Sequence, residues 1–176
     1  MDKAAINIYL VGLMGAGKTT IGRQLARRLG RRFLDSDHEI EARTGVSIPT
    51  IFEIEGEDGF RRREAHTIGE LIEETGIVLA TGGGVVLNPD NRSALRESGW
   101  VVYLNVPPEM LFERTRNDRN RPLLRVEDPL RRLRELYAQR DPLYRETAHF
   151  IVEGARMPAS NVVSHVLREF SKRCEP

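Results

Sequence analysis

Cysteine is almost missing from this chain of 176 residues, and its one thiol, Cys174, stands near the C-terminus. A single cysteine excludes an internal disulfide and a cysteine-rich metal site, and it is read as an exposed bystander. Lysine is nearly as scarce: arginine outnumbers it 24 to 3, and with Lys3 and Lys172 near the ends, Lys18 is the only lysine in the interior of the sequence. No stretch approaches the roughly 18 to 20 consecutive apolar residues that cross a membrane. The first apolar run, 4–11, follows Asp2 and Lys3 without a cleavage-like site, so the expectation is a cytoplasmic protein with no membrane partner. The four histidines, His38, His66, His149 and His165, show no metal-ligand spacing and are given ordinary surface or core roles. Linkers, internal repeats and low-complexity tracts are absent too, which predicts one domain over 1–176.

What is present is a composition of 40% hydrophobic and 30% charged residues with a net charge of +1. A chain of this length buries roughly two-thirds of its unfolded surface, enough for a core without covalent staples. The near-neutral balance hides two asymmetries. Residues 35–58 hold eight acids against Arg43, a net charge of −7, while 114–145 hold ten arginines against five acids, a net charge of +5. A polyanionic ligand is drawn to the second stretch.

Short apolar runs alternate with longer segments of helical period, the pattern of an α/β domain with a parallel sheet. Five strands are predicted, at 6–11, 32–34, 77–80, 100–105 and 149–152, each largely buried by flanking helices. Ile21, Leu25 and Leu29 share one helical face, and Gly30 follows as a stop. Asp128-Pro129 opens a helix with a stripe of Leu130, Leu133, Leu136 and Tyr137; the last helix begins near Pro158 and carries Val162, Val163, Val166, Leu167 and Phe170.

Residues 12–19 read Gly-Leu-Met-Gly-Ala-Gly-Lys-Thr, a match to G-x-x-x-x-G-K-[ST] placed between the first strand and the first helix, the context this motif requires. Gly12, Gly15 and Gly17, with Ala16 between them, let successive backbone N–H groups face one anion at the positive end of a helix. Lys18 then brings a mobile charge to the β- and γ-phosphates, the Thr19 hydroxyl is placed to ligate Mg²⁺, and Thr20 adds an α-phosphate contact.

A phosphate loop alone does not separate GTPases, motors and kinases. There is no N-K-x-D to read guanine, and no apolar strand ends in the usual magnesium-binding aspartate; instead 77–81 runs into Gly82-Gly83-Gly84. Three glycines in a row read either as a flexible turn or as a bare ledge that lets a substrate approach the strand's C-terminal end. Asp35-Ser36-Asp37 closes the second strand. It reads as a solvated turn, or as Asp35 holding Mg²⁺ through water with Asp37 accepting a hydrogen bond from an attacking hydroxyl. Arg61, beside Phe60 at the head of an amphipathic helix, suits a carboxylate. The arginine-rich, turn-prone stretch 114–125 reads as a lid that excludes water and brings Arg121 to the developing charge. Nucleic-acid binding is the rival reading, opposed by interleaved acids and by the lack of aromatics between Arg114 and Arg134.

Together the phosphate loop, D-S-D, F-R-x-x-E from Phe60 to Glu64, G-G-G, R-P-L-L from Arg121 and R-D-P-L-Y from Arg140 resemble the shikimate kinase family over nearly the whole chain. The resemblance implies a three-layer P-loop fold of the nucleoside-monophosphate-kinase type, α/β with a five-stranded parallel sheet, a substrate region near 35–64 and a lid. It implies a monomeric, ATP- and Mg²⁺-dependent phosphotransferase acting on the 3-hydroxyl of shikimate. Asp37 would bind the reacting hydroxyls, and Arg61, Gly83 and Arg140 would fix the acid, with Gly82 and Gly84 completing the ledge. Arg121 would contact the phosphates; Phe52, Phe60 and Glu64 would wall and support the substrate; Arg114, Arg156 and Pro158 would rim the adenine. The interior of the lid, 116–120, departs from the family in being more charged. Competing expectations are a sibling kinase for an acid such as gluconate and a nucleotide-binding regulatory module without catalysis.

Overall fold

The computed structural model describes residues 2–118, 121–153 and 156–173, so Cys174 and the lid residues Arg119 and Asn120 lie outside the described residues. Five parallel strands, β1 (Asn7–Val11), β2 (Phe33–Asp35), β3 (Val78–Ala80), β4 (Gly99–Asn105) and β5 (Phe150–Glu153), form one sheet in the order β2-β3-β1-β4-β5. The expected strands are all present, with ends shifted by a residue. β1 lies at the centre, Ile8 opposite Val78 on one side and Trp100 on the other, and all five of its residues are buried, as an uninterrupted apolar run flanked by two layers of helices requires.

The helices are α1 (Lys18–Leu29), α2 (Ser36–Thr44), α3 (Ile48–Leu71), α4 (Pro89–Ser98), α5 (Pro108–Thr115), α6 (Pro129–Thr147) and α7 (Ala159–Arg173). α1 starts from Gly17 at φ +97° and stops at Gly30, α2 is capped by the Asp35 carboxylate, and Asp128 caps α6 as the sequence predicts. α3 is not one helix. Gly56 sits inside it at φ 72°, ψ 179°, a conformation open to glycine alone, and the kink sets off the segment carrying Phe60, Arg61 and Glu64 as a second helix. Ile40, Ile51 and Phe60, with Ile48 and Phe52 against them, make a small apolar cluster separate from the main core, so the region between α2 and α3 has a core of its own.

The order of the strands places the chemistry. β2, β3 and β1 are neighbours, so the segments leaving their C-terminal ends are neighbours too: Asp35 from β2, the three glycines from β3 and the phosphate loop from β1. No helix among the described residues is long and apolar enough to cross a membrane.

At the opposite edge, buried Asn7 ties β1 to β3. Its amide donates to the Glu74 carbonyl at 2.7 Å and the Tyr9 hydroxyl at 2.9 Å, and its oxygen accepts from the Ile77 N–H at 3.0 Å. Asn7→Leu leaves the Ile77 donor and the Glu74 acceptor without partners, at ~1–3 kcal/mol each. The expected loss is about 2–4 kcal/mol, read as a fall in the urea midpoint at constant m-value.

Candidate active site

The phosphate loop folds back on its own lysine. Lys18 Nζ donates to the carbonyls of Gly12 at 2.6 Å and Leu13 at 2.9 Å. Burial, and after it the Arg121 charge, hold the amine down to about 7 against the attraction of Asp37 and Asp35. A cation so placed gains most from an arriving anion. Arg114 from the last turn of α5 donates to the carbonyls of Gly15 at 3.2 Å and Ala16 at 3.5 Å, which joins the C-terminal end of α5 to the loop.

Thr19 donates its hydroxyl to Asp35 Oδ2 at 2.9 Å, while Asp35 Oδ1 accepts the N–H groups of Asp37 at 3.0 Å and His38 at 3.2 Å. Both Asp35 oxygens are therefore engaged, and the Thr19 oxygen keeps lone pairs free on its other side. This donor set fits a magnesium ion that takes one hydroxyl from the protein and keeps its waters, with Asp35 acting through Thr19 and water. Among the described residues no group of three or more His, Cys, Asp or Glu is gathered to hold a metal.

A cleft of about 580 Å³ is lined by the phosphate loop, Asp35, Asp37, Gly82, Gly83, Arg114 and Arg121. Thr20 lines it as well, and Met157 lines it where Arg156 was expected; Arg156 itself is exposed and not part of the wall. Arg121 pairs with Asp118 at 3.0 Å.

Arg61, Glu64 and Arg140 stand behind the ledge, just past the wall of this cleft. Gly82 and Gly84 are bare for steric reasons: a Cβ on Gly82 would lie 2.7 Å from Asp37 Oδ1 and 2.8 Å from Glu64 Oε2, and one on Gly84 would overlap the Arg61 guanidinium. The three glycines are thus a ledge against which two carboxylates and one guanidinium close. Arg61 donates to Glu64 at 2.9 Å and Glu57 at 3.2 Å.

Asp37 Oδ1, Arg61 Nε, Glu64 Oε2, and Nε and NH1 of Arg140 are all buried without a hydrogen-bond partner. Five orphaned polar atoms on one patch are the mark of a site for a polar ligand, since each carries a desolvation penalty that a partner removes. Burial, reinforced by Asp35, pushes the Asp37 carboxyl up, against the pull of Lys18, Arg121 and Arg61. Burial raises Glu64 to about 7, although Arg61 opposes it, and burial lowers Arg140. Arg140, with 2% of its surface exposed, is the largest fully buried side chain.

The family model described as shikimate kinase matches residues 14–171. The chain belongs to the shikimate kinase family. Relatives named shikimate kinase include one from Dechloromonas aromatica, 70% identical over 94% of this chain and 91% of its own, and one from Aromatoleum aromaticum, 61% identical over 96% and 98%. The solved shikimate kinase of Acinetobacter baumannii in complex with shikimate is 51% identical, with a TM-score of 0.96 over 99% of this chain and 97% of that one. A gluconokinase from Sinorhizobium meliloti, at 17% identity and a TM-score of 0.58, shares the fold alone. Family membership makes the protein an ATP-dependent kinase acting on an alcohol group.

Within this shikimate kinase fold, two further residues hold the glycine ledge. Ser36 is fully buried and accepts from the Gly82 N–H at 3.0 Å; Tyr144 is fully buried and donates to the Gly83 carbonyl.

Proposed function

We propose that this protein transfers the γ-phosphate of ATP to the 3-hydroxyl of shikimate, giving shikimate 3-phosphate and ADP. The observation that carries this reading is the patch of unpartnered buried atoms, in which the guanidinium groups of Arg61 and Arg140 adjoin the carboxyl groups of Asp37 and Glu64 beside the phosphate loop. Buried Arg140 and half-buried Arg61 suit the carboxylate of a small acid, with Gly83 at the ledge between them and the loop, and Asp37 suits its hydroxyls.

In the proposed reaction the acceptor oxygen attacks the γ-phosphorus, the bond to the ADP oxygen breaks, and the hydroxyl proton leaves toward Asp37, which acts as orienter or base. Lys18 and Arg121 offset charge developing on the phosphoryl oxygens, and the lid, 114–125, keeps water out. Bound Mg²⁺, held by Thr19 and through water by Asp35, would neutralise charge on the β- and γ-phosphates. The reading includes a cytoplasmic monomer of one domain with no nucleic-acid partner, and gel filtration tests the monomer.

The deciding experiment couples ADP release to a panel of shikimate, quinate, gluconate and nucleoside monophosphates, with Lys18→Ala as the blank. Turnover with shikimate alone supports the reading, and turnover with another acceptor overturns it. A second measurement concerns Lys18. Its amine, held down to about 7, is largely neutral at pH 8 in the free protein, and a bound polyphosphate restores the charge. Nucleotide binding at pH 8 is therefore expected to take up a proton, up to one per site. Calorimetry in two buffers of different ionisation enthalpy should give different apparent heats at pH 8 and converging heats at pH 6.

A further inference from the structure

The glycine ledge touches four elements, and the residues that hold it are not the ones that bind anything. Three consecutive glycines have more conformational freedom to lose than any other tripeptide, so a ledge that must present one backbone geometry needs external ties. Its root is fixed to β1, where the Thr81 N–H and hydroxyl both donate to the Leu10 carbonyl, at 3.1 Å and 2.8 Å. Its far end runs into a single 3-10 turn, with Val85 N–H on the Gly82 carbonyl and Leu87 N–H on the Gly84 carbonyl, each at 3.1 Å. Two backbone groups in between, the Gly82 N–H and the Gly83 carbonyl, are taken by side chains.

Each of those side chains is a hydroxyl with no exposed surface, and each is joined to an acid-site residue. Ser36, whose Oγ accepts from Gly82 N–H at 3.0 Å, is the residue before Asp37 at the start of α2. Tyr144, whose hydroxyl donates to the Gly83 carbonyl, lies one helical turn after Arg140 in α6, beside the Arg140 guanidinium, whose charged form it favours. The same turn of α6 is fastened from behind, where Asp141 accepts the Tyr103 hydroxyl at 2.8 Å and the Tyr103 and Tyr144 rings lie 4.9 Å apart. Asp37 and Arg140 thus come from two separate helices, α2 and α6, and are registered on one short piece of backbone.

We infer that Ser36 and Tyr144 are positioning residues: their hydroxyls pin the glycine ledge and so set where Asp37 and Arg140 stand relative to each other, which fixes the acceptor's hydroxyls and carboxylate in one pose. The inference rests on the proposed phosphorylation of shikimate. It assigns the two hydroxyls different consequences. Ser36 acts next to the carboxylate that meets the reacting hydroxyl, so its loss acts on turnover. Tyr144 acts next to the arginine that meets the substrate's acid group, so its loss acts on acceptor affinity.

The test uses the full-length protein with Ser36→Ala and Tyr144→Phe, each of which removes one oxygen and leaves the packing volume almost unchanged. Initial rates give kcat and the KM for shikimate and for ATP, and calorimetry gives the Kd for shikimate and for a non-hydrolysable ATP analogue. For Tyr144→Phe the KM and Kd for shikimate rise about tenfold with those for nucleotide within about twofold, a size matching one buried hydrogen bond to a positioned group. For Ser36→Ala, kcat falls about tenfold on the same scale with the nucleotide constants again held. A merely structural role predicts a lower unfolding temperature with equal changes for both substrates, or with unchanged kinetics, and either result overturns the inference. Absence of shikimate turnover in the unaltered protein would instead overturn the proposed function, which keeps the two failures apart.

Discussion

Asp37→Asn is expected to lower kcat by about 10³-fold, within the 10²–10⁴ range for a positioned acid or base, and to leave nucleotide binding as it was. Asp37 leaves the end of β2 at the edge of the cleft, half-buried, with Oδ1 facing the ledge and no hydrogen-bond partner. As a carboxylate it only accepts, which is what a hydroxyl about to lose its proton needs. An amide in the same place presents an N–H or a weaker oxygen, and it removes one negative charge from a patch where Lys18, Arg121 and Arg61 all favour the ionised form. In the proposed reaction the nucleotide's phosphates would meet the loop and Lys18 instead, so an ATP analogue should bind the variant with unchanged affinity by calorimetry. The sign of the pH effect follows from burial. Because the carboxyl is pushed up, its reactive ionised form is lost at a higher pH than an ordinary aspartate would lose it. The acid limb of kcat/KM for the unaltered protein should therefore lie above that of an exposed aspartate, and Asp37→Asn should abolish that limb. Turnover of the variant at the unaltered rate would end the role assigned to Asp37.

Residues adjacent in sequence were legible, and those brought together by helix rotation were not. The phosphate loop reads directly because its chemistry needs consecutive N–H groups, and G-G-G could be told from a flexible turn only once Asp37, Glu64 and Arg61 were seen to close on it. D-S-D drew attention to its acids, yet the serine between them carries the tie to Gly82, a contact of sequence separation 46 that no local pattern announces. Glu64 enters as support for the substrate wall only through the family resemblance; its burial to 1% exposure, which raises it to about 7, has no signal in the sequence. The kink in α3 was invisible as well, since Gly56 and Gly59 look alike in sequence and only the first takes a positive φ. Arg156, expected at the adenine rim, is not among the residues that line the cleft. The part of the cleft next to β4, β5 and α7 is lined by Leu104, Val152 and Val162 together with Met157.

Arg140→Met is expected to move stability and activity in opposite directions. Arg140 is 2% exposed, with Nε and NH1 unpartnered, and burial lowers its affinity for the proton that charges it. A buried guanidinium in that condition opposes folding of the ligand-free protein, because desolvation of the charge is only partly offset, by Tyr144. Methionine fills a similar length with a flexible apolar chain and leaves no orphaned donor. The variant should therefore be more stable without ligand, by about 1–2 kcal/mol on the scale of buried-charge replacements, measured as a higher urea midpoint. With an acid acceptor the balance reverses. The two unpartnered N–H groups are the ones a carboxylate would satisfy, and a buried charge-assisted pair lost on one side costs ~2–5 kcal/mol. The KM for shikimate should then rise by about 10²–10³-fold while the KM for ATP stays near its starting value. A variant that loses stability and acceptor affinity together would mean that Arg140 holds the fold; one that gains stability and loses only the acceptor would mean that the fold is strained at this position for the sake of its substrate.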